Sequence, residues 1–135
     1  MKSDNKTDEI HQRIIGNSEI MMCVKCRIAN IARFPWPVLI LGESGVGKEL
    51  AAKAVHDLSP RRKRPFVPVN CTGLPDTLAG SEFFGYEKGA FTDAKDRRTG
   101  KFQEAAGGTI FLDEIGEAST KLQLTLLRAL ESGRW

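Results

Sequence analysis

The chain has 135 residues, a length typical of one domain, with 41% hydrophobic and 27% charged side chains. This ordinary composition excludes a disordered or fibrous protein, and a net charge of +3 is too mild to imply nucleic-acid binding without a clustered basic patch. Residues 1–13 lack the apolar segment of a secretory signal, and no apolar run reaches the ~18 residues of a membrane helix. We therefore expect a cytoplasmic protein without membrane contact.

The first half of the chain predicts two helices and one strand. Residues 1–13 are polar and predict a frayed tail. After a capping Ser18, helical spacing relates Met21, Val24, Ile28 and Ile31. The run VLIL (38–41) lies between proline and glycine, which is typical of a buried parallel strand. A second helix is predicted at 48–58, with one apolar face formed by Leu50, Ala51, Ala54, Val55 and Leu58.

The second half continues the alternation of strands and helices. Residues 66–70 predict a strand at a sheet edge, because Pro68 cannot donate to a ladder. A short helix at 74–85 and a buried strand at 109–115 follow. The last helix, 119–132, carries a leucine stripe and ends at Gly133; the stripe consists of Leu122, Leu126 and Leu130. Alternating elements of this kind predict an α/β fold with a parallel sheet.

The cysteines and the second histidine do not suggest a metal site. Cys23 and Cys26 form a C-x-x-C pair, but a structural zinc site needs four ligands and no second pair follows. Together with Cys71 they make an odd number, which argues against a disulfide framework. We interpret all three as small buried hydrophobes. His56 has no second histidine within reach along its helix, so we assign it no metal role.

The stretch GESGVGK matches the phosphate-binding pattern G-x-x-x-x-G-K, between a predicted strand and a predicted helix. Its glycines let the backbone N–H groups face an anion, and the helix N-terminus adds partial positive charge. The predicted nucleotide-binding residues are Gly42, Glu43, Ser44, Gly45, Val46, Gly47, Lys48 and Glu49. Glu49 stands where Ser or Thr normally supplies a hydroxyl to magnesium, so we expect other groups to hold the metal.

Two acids follow the last predicted strand. Asp113 and Glu114 lie at its carboxyl end, where open α/β sheets bind their ligands. We expect Asp113 to hold Mg²⁺ on the nucleotide and Glu114 to orient or deprotonate an attacking water. Because adjacent side chains in a strand point apart, the two carboxylates can serve separate roles.

From residue 14 to the C-terminus the chain resembles the central AAA+ ATPase domain of bacterial sigma-54-dependent transcriptional activators. The matching stretches are LILGESGVGKELAAKAVHDLSPR, PFVPVNC, LPDTLAGSEFFGYEKGAFTDA and GKFQEAAGGTIFLDEI. The resemblance implies a P-loop NTPase fold of three α/β/α layers with a parallel sheet. It also implies ATP and Mg²⁺ as cofactors, and a hexameric ring that remodels the sigma-54 RNA polymerase holoenzyme. By position, Gly42–Glu49 resemble the Walker A segment and Asp113 and Glu114 the Walker B acids.

Two further features take their interpretation from this family. Asn70 resembles an asparagine that holds the catalytic glutamate away from water, although an ordinary strand-end Asn that caps a turn is the alternative. The loop GAFTDA resembles the family's sigma-54 contact, usually GAFTGA; its residues are Gly89, Ala90, Phe91, Thr92, Asp93 and Ala94. Asp93 replaces a glycine there, which removes conformational freedom and adds a charge. Phe91 folded back onto its own domain is the alternative to a contact with sigma-54.

The resemblance covers only the first part of the family's domain. The family's sensor strand, arginine fingers and helical lid have no counterpart in residues 14–135, and neither does a DNA-binding domain. We therefore expect a partial domain, ending after the Walker B strand and the following helix, that hydrolyses ATP weakly by itself. A non-enzymatic module that binds nucleotide or co-assembles with full-length activators is the alternative. The sensor strand lies between the two Walker strands in this family, so residues 38–41 would lack their neighbours.

Overall fold

The computed structural model describes residues 4–86 and 98–133. The chain divides into two compact units, Met1–Phe66 and Val67–Trp135. None of the described helices is long and apolar enough to cross a membrane. The elements in chain order are α1 (Asp4–Arg13), α2 (Glu19–Ile31), α3 (Lys48–Leu58), β1 (Phe66–Asn70), α4 (Asp76–Phe84), β2 (Gly85–Tyr86), β3 (Arg98–Thr99), α5 (Lys101–Glu104), β4 (Thr109–Asp113), a 3-10 helix (Ile115–Glu117) and α6 (Thr120–Ser132).

The first unit begins with a helix that the sequence did not predict. The expected frayed tail is wrong from Asp4 onwards, because α1 occupies that stretch. Ile10 is 2% exposed and belongs to a core shared by α1, α2 and α3. Burial of one isoleucine contributes roughly 1.5–3 kcal/mol, which offsets part of the entropy cost of ordering this short polar helix. That core consists of Ile10, Ile14, Ile28, Ala32, Ala54 and Leu58.

The helix predicted after Ser18 is confirmed, but its inner face differs from the prediction. The Ser18 hydroxyl oxygen accepts from the Met21 N–H at 3.2 Å, as an N-cap does. Lys25 and Ile28 are the buried residues of α2. Val24, expected to face the core, is 37% exposed.

The strand predicted at 38–41 is wrong, since no strand is assigned there. Leu39 and Leu41 are 74% and 83% exposed. A buried parallel strand needs hydrogen-bonding neighbours on both sides, because each unpaired backbone group that loses water costs about 1–3 kcal/mol. Among the described residues of the first unit this run has no such neighbour, and it stays in solvent.

The second unit is built on two small sheets. β1 pairs with β4, and the N–H of Cys71 donates to the carbonyl oxygen of Asp113 at 3.0 Å, which places both carboxyl ends at one edge of a parallel pair. β4 is the one described strand that pairs with β1, so the edge position predicted from Pro68 is confirmed among the described residues. β2 and β3 form an antiparallel ribbon with Tyr86 opposite Arg98.

The core of the second unit joins α4, α5 and α6. Phe83 is fully buried, and its ring lies 5.9 Å from that of Phe102. Leu122 and Leu126 on α6 are buried as predicted, whereas Leu130 is 41% exposed. The end of α6 is also confirmed, with Gly133 at φ 61° as the C-cap.

Candidate functional site

The phosphate-loop sequence forms a turn that leads directly into α3. Gly45 and Gly47 have φ angles of 81° and 98°, in the left-handed region that favours glycine. Gly47 is the N-cap of α3 and provides no side-chain hydrogen bond to the first turn. No N-cap side chain therefore competes with an anion for the start of α3, and the helix dipole adds positive potential there.

Lys48 lies over the loop that precedes it. Its ammonium donates to the carbonyl oxygens of Gly42 at 2.8 Å and Glu43 at 3.3 Å. A Cβ atom on Gly42 would lie 2.8 Å from a methyl carbon of Val46, so the turn tolerates only glycine there without a shift. One positive side chain and one uncapped helix start thus lie within the same short turn.

Behind the loop, the other end of α3 is held by an ion-pair cluster that was not predicted from the sequence. Asp57 is 8% exposed and pairs with Arg13 of α1 and with Lys53, one turn away, at 2.7 Å. The i, i+4 spacing of Lys53 and Asp57 was readable from the sequence. The contact with Arg13 was not, because it joins residues of two separate helices.

His56 is the second buried polar group of α3. It is 2% exposed, and its ring lies 5.4 Å from that of Phe66. Burial lowers the pKa of His56, and the charge of Lys53 lowers it further. Asp57 and the backbone of Arg64 and Arg62 oppose this shift. A neutral imidazole that packs on an aromatic ring is a structural role for His56.

In the second unit, the predicted catalytic residues meet at the carboxyl edge of β1 and β4. The Asn70 amide oxygen accepts from the Thr72 N–H at 2.8 Å, which forms the turn that was the alternative interpretation of Asn70. A carboxylate oxygen of Asp113 accepts from the Glu114 N–H at 3.0 Å. The edge therefore carries one amide and two half-buried carboxylates.

Glu114 is strained. Its φ of 53° makes it the one non-glycine residue with positive φ among residues 4–86 and 98–133. The strand ends at Asp113, so the expectation that both acids lie in a strand with diverging side chains is wrong. Glu114 instead caps the 3-10 helix, and its carbonyl accepts from the Glu117 N–H at 3.0 Å. Such a conformation costs about 1–3 kcal/mol and is common at functional positions.

The remaining predicted positions divide into those the structure describes and those it does not. The stretch 89–94 (GAFTDA) lies outside the described residues. Cys71 is buried as expected, but Cys23 and Cys26 are exposed, which corrects the interpretation of all three as buried. Within the described ranges, no three His, Cys, Asp or Glu side chains are grouped to hold a metal ion.

The chain is similar to a known domain family and to bacterial regulators. The family described as Sigma-54 interaction domain matches residues 14–135. The Nif-specific regulatory protein of Azotobacter vinelandii is 52% identical over 122 residues, 90% of this chain and 23% of that protein. The response regulator protein PilR of Pseudomonas aeruginosa is 48% identical over 122 residues, again 90% of this chain, and 27% of that protein.

A solved structure supports the same relationship. The crystal structure of NtrX from Brucella abortus in complex with ATP matches with a TM-score of 0.76 at 33% identity. The match covers 88% of this chain and 25% of that chain. The chain therefore spans about a quarter of the length of the proteins it resembles.

Proposed function

Because the chain belongs to the Sigma-54 interaction domain family of sigma-54-dependent transcriptional activators, we propose that it binds ATP through Gly42–Glu49. It has the P-loop AAA+ α/β fold of that family. The observation that carries the proposal is the loop itself, in which left-handed glycines, an uncapped helix start and Lys48 lie together.

The donors of this loop suit a polyphosphate. Backbone N–H groups at the start of α3 would bind phosphate oxygens, and the Lys48 ammonium would exchange its two carbonyl partners for charged oxygens. A hydrogen bond to a charged group is roughly twice as strong as a neutral one, so this exchange favours binding. The ATP in the NtrX crystal structure supports the same ligand class for this chain.

We assign hydrolysis to the carboxyl edge of the second unit. ATP would supply the phosphoanhydride bond, and Mg²⁺ would neutralise its developing charge. Asp113 would give the ion one carboxylate oxygen, the ligand type that Mg²⁺ prefers, while phosphate oxygens and water complete its shell. Glu114 would orient the attacking water, and Asn70 would restrain Glu114 once its amide leaves the Thr72 N–H.

The output we propose is remodelling of the sigma-54 RNA polymerase holoenzyme through residues 89–94. The support for this role is the family match and the GAFTDA sequence between β2 and β3. As in the family, a homo-oligomeric ring would carry out this work, and DNA contact would belong to a different domain.

The experiment that tests nucleotide binding is a titration of the chain with a fluorescent ATP analogue. Lys48→Ala should weaken binding at least tenfold, because a charge-assisted contact to phosphate is lost. Lys63→Ala, an exposed lysine in the polar stretch after α3, is the charge-matched control and should bind normally. Equal affinity of the wild type and the Lys48→Ala variant would refute the phosphate-loop assignment.

Sigma-54 contact needs a separate experiment on a protein that carries the complete domain. Phe91→Ala should keep the nucleotide affinity and lose sigma-54 binding in a pull-down with purified sigma-54. Retained sigma-54 binding would show that Phe91 does not make the contact, without affecting the nucleotide assignment.

A further inference from the structure

Helix α2 exposes apolar side chains and buries a lysine. Lys25 is 2% exposed; its ammonium donates to the Gly16 carbonyl oxygen at 2.7 Å and contacts Nδ1 of His11 at 3.1 Å. On the opposite side, Ile20 is 77% exposed and Val24 37%. Ile28 on the inward face is 4% exposed, so α2 carries apolar side chains on both faces, and the outward ones form a candidate interaction surface.

The outward residues form one continuous feature. Glu19, Ile20, Cys23, Val24 and Arg27 line a single surface groove, which we name the α2 seam. Ile20 lies three residues before Cys23 and four before Val24, so the apolar members share one face of the helix, as in a helix that packs on another helix. The seam has an acid at its N-terminal end and a base at its C-terminal end.

The charges at the two ends are available for pairing. Neither Glu19 nor Arg27 forms an ion pair within residues 4–86 and 98–133. They are eight residues apart on one helix, too far to pair with each other. Each charge therefore requires a partner from outside the described residues if it is to be neutralised.

The arrangement is complementary to itself. Cys23 lies midway between Glu19 and Arg27, about 6 Å from each along the helix axis at ~1.5 Å per residue. An antiparallel pair of helices with its two-fold axis at Cys23 places each Glu19 opposite Arg27 of the second copy. The two helix dipoles then oppose each other, which is favourable. We propose that the α2 seam binds the α2 seam of a second copy of this chain.

The contact is a weak one and does not depend on nucleotide. It uses part of a single 13-residue helix from each copy, well below the ~1,200 Å² of a stable interface. Its exposed ion pairs are screened by salt, so association should be strongest at low ionic strength. The proposal depends only on the geometry of α2 in the first unit, and it is independent of the proposed function.

Charge reversal tests the proposal by sedimentation equilibrium at low salt. Glu19→Arg and Arg27→Glu each place two like-charge pairs in the dimer and should raise its dissociation constant roughly tenfold. The double variant restores opposite charges in swapped positions and should return to the wild-type value. Circular dichroism checks that each variant keeps its helix content. A wild type that stays monomeric, or a double variant no tighter than the singles, overturns the proposal.

Cross-linking gives a second measurement of the same contact. It uses the wild-type chain, so it does not depend on the folding of any charge variant. A short bismaleimide joins two thiols, each of which adds across a maleimide double bond while its proton moves to the adjacent carbon. The wild type and Cys26→Ser should give a covalent dimer, and Cys23→Ser should not. A dimer that persists in Cys23→Ser contradicts the axis position. In a longer form of the protein, a monomer whose Cys23 resists a simple maleimide would show that another segment covers the seam, which also overturns the proposal.

Discussion

The backbone N–H of Cys71 donates a 3.0 Å hydrogen bond to the carbonyl oxygen of Asp113. This bond joins the first residue after β1 to the last residue of β4. It therefore fixes the common edge from which Asn70 and Glu114 both extend. The chain leaves that edge abruptly, because Glu114 turns at once into the left-handed conformation that begins the 3-10 helix.

The strain at Glu114 predicts an unusual order of stabilities. Glu114→Gly and Glu114→Ala remove the same carboxylate, but only glycine occupies a φ of 53° without cost. We expect Glu114→Gly to be more stable than Glu114→Ala by about 1 kcal/mol. Urea denaturation of both variants measures this difference. An alanine variant as stable as the glycine variant would mean that Glu114 is relaxed.

Gly100 should tolerate no side chain at all. A Cβ atom there would lie 2.4 Å from the Phe83 carbonyl oxygen and 2.5 Å from the Gly85 nitrogen. Since these are backbone atoms, they cannot rotate away, and we expect Gly100→Ala to destabilise the unit by about 3 kcal/mol.

The matched control for Gly100 lies in α4. A Cβ atom on Gly80 would meet nothing within 4 Å, so Gly80→Ala should gain about 0.5–1 kcal/mol from helix propensity. Thermal unfolding of the two variants should shift the midpoint in opposite directions. A shift of the same sign in both would contradict the steric explanation.

His56 predicts acid sensitivity of the first unit. Burial and the Lys53 charge lower its pKa in the folded protein, so the unfolded chain binds the proton more readily. This contribution to stability is complete above about pH 6.5 and is lost as pH falls through the lowered pKa of the folded state. The free energy of unfolding should therefore become smaller as the pH falls through that window. This loss of stability should be smaller in His56→Gln.

The chain contains two histidines, which allows a direct control for His56. His11→Gln keeps His56 and should keep its part of the acid dependence. Urea titrations at several pH values between 7.5 and 5 measure both slopes. An unchanged slope in His56→Gln would show that another group causes the acid sensitivity.

Cys71 predicts selective thiol chemistry. Burial raises the pKa of the Cys71 thiol, and the negative charge of Asp113 raises it further. Maleimide treatment of the native chain at pH 8 should modify Cys23 and Cys26 and leave Cys71 intact until denaturant is added. Mass spectrometry after digestion identifies the modified residues. Rapid modification of Cys71 in the native chain would contradict its burial.

The elements predicted correctly are those whose signals are local. Ser18 caps α2 as predicted, because a hydroxyl just before an apolar helical pattern is a local signal. The bounds of α3 follow from the glycine before it and the Ser-Pro after it. The glycines of the phosphate-loop sequence are likewise a local signal, because glycine favours the left-handed φ that Gly45 and Gly47 adopt.

What the sequence could not predict depends on contacts between distant positions. The run at 38–41 has the composition of a buried strand, but its state depends on neighbours that composition does not reveal; only the family resemblance implied that they are missing. The Arg13–Asp57 pair joins residues 44 positions apart. The inward face of α2 follows from the partners of Lys25, which come from α1 and the turn after it.

The Tyr86–Arg98 pairing has a consequence for protein engineering. The ribbon holds the two ends of the intervening segment side by side. Folding of the second unit therefore already offsets the entropy cost of bringing those two ends together. Doubling the segment would then cost only about 0.6 kcal/mol. Segments from related regulators could be exchanged between these two residues while the phenylalanine core below keeps its packing. The position is a natural graft site at which the intervening sequence can change without a change of fold.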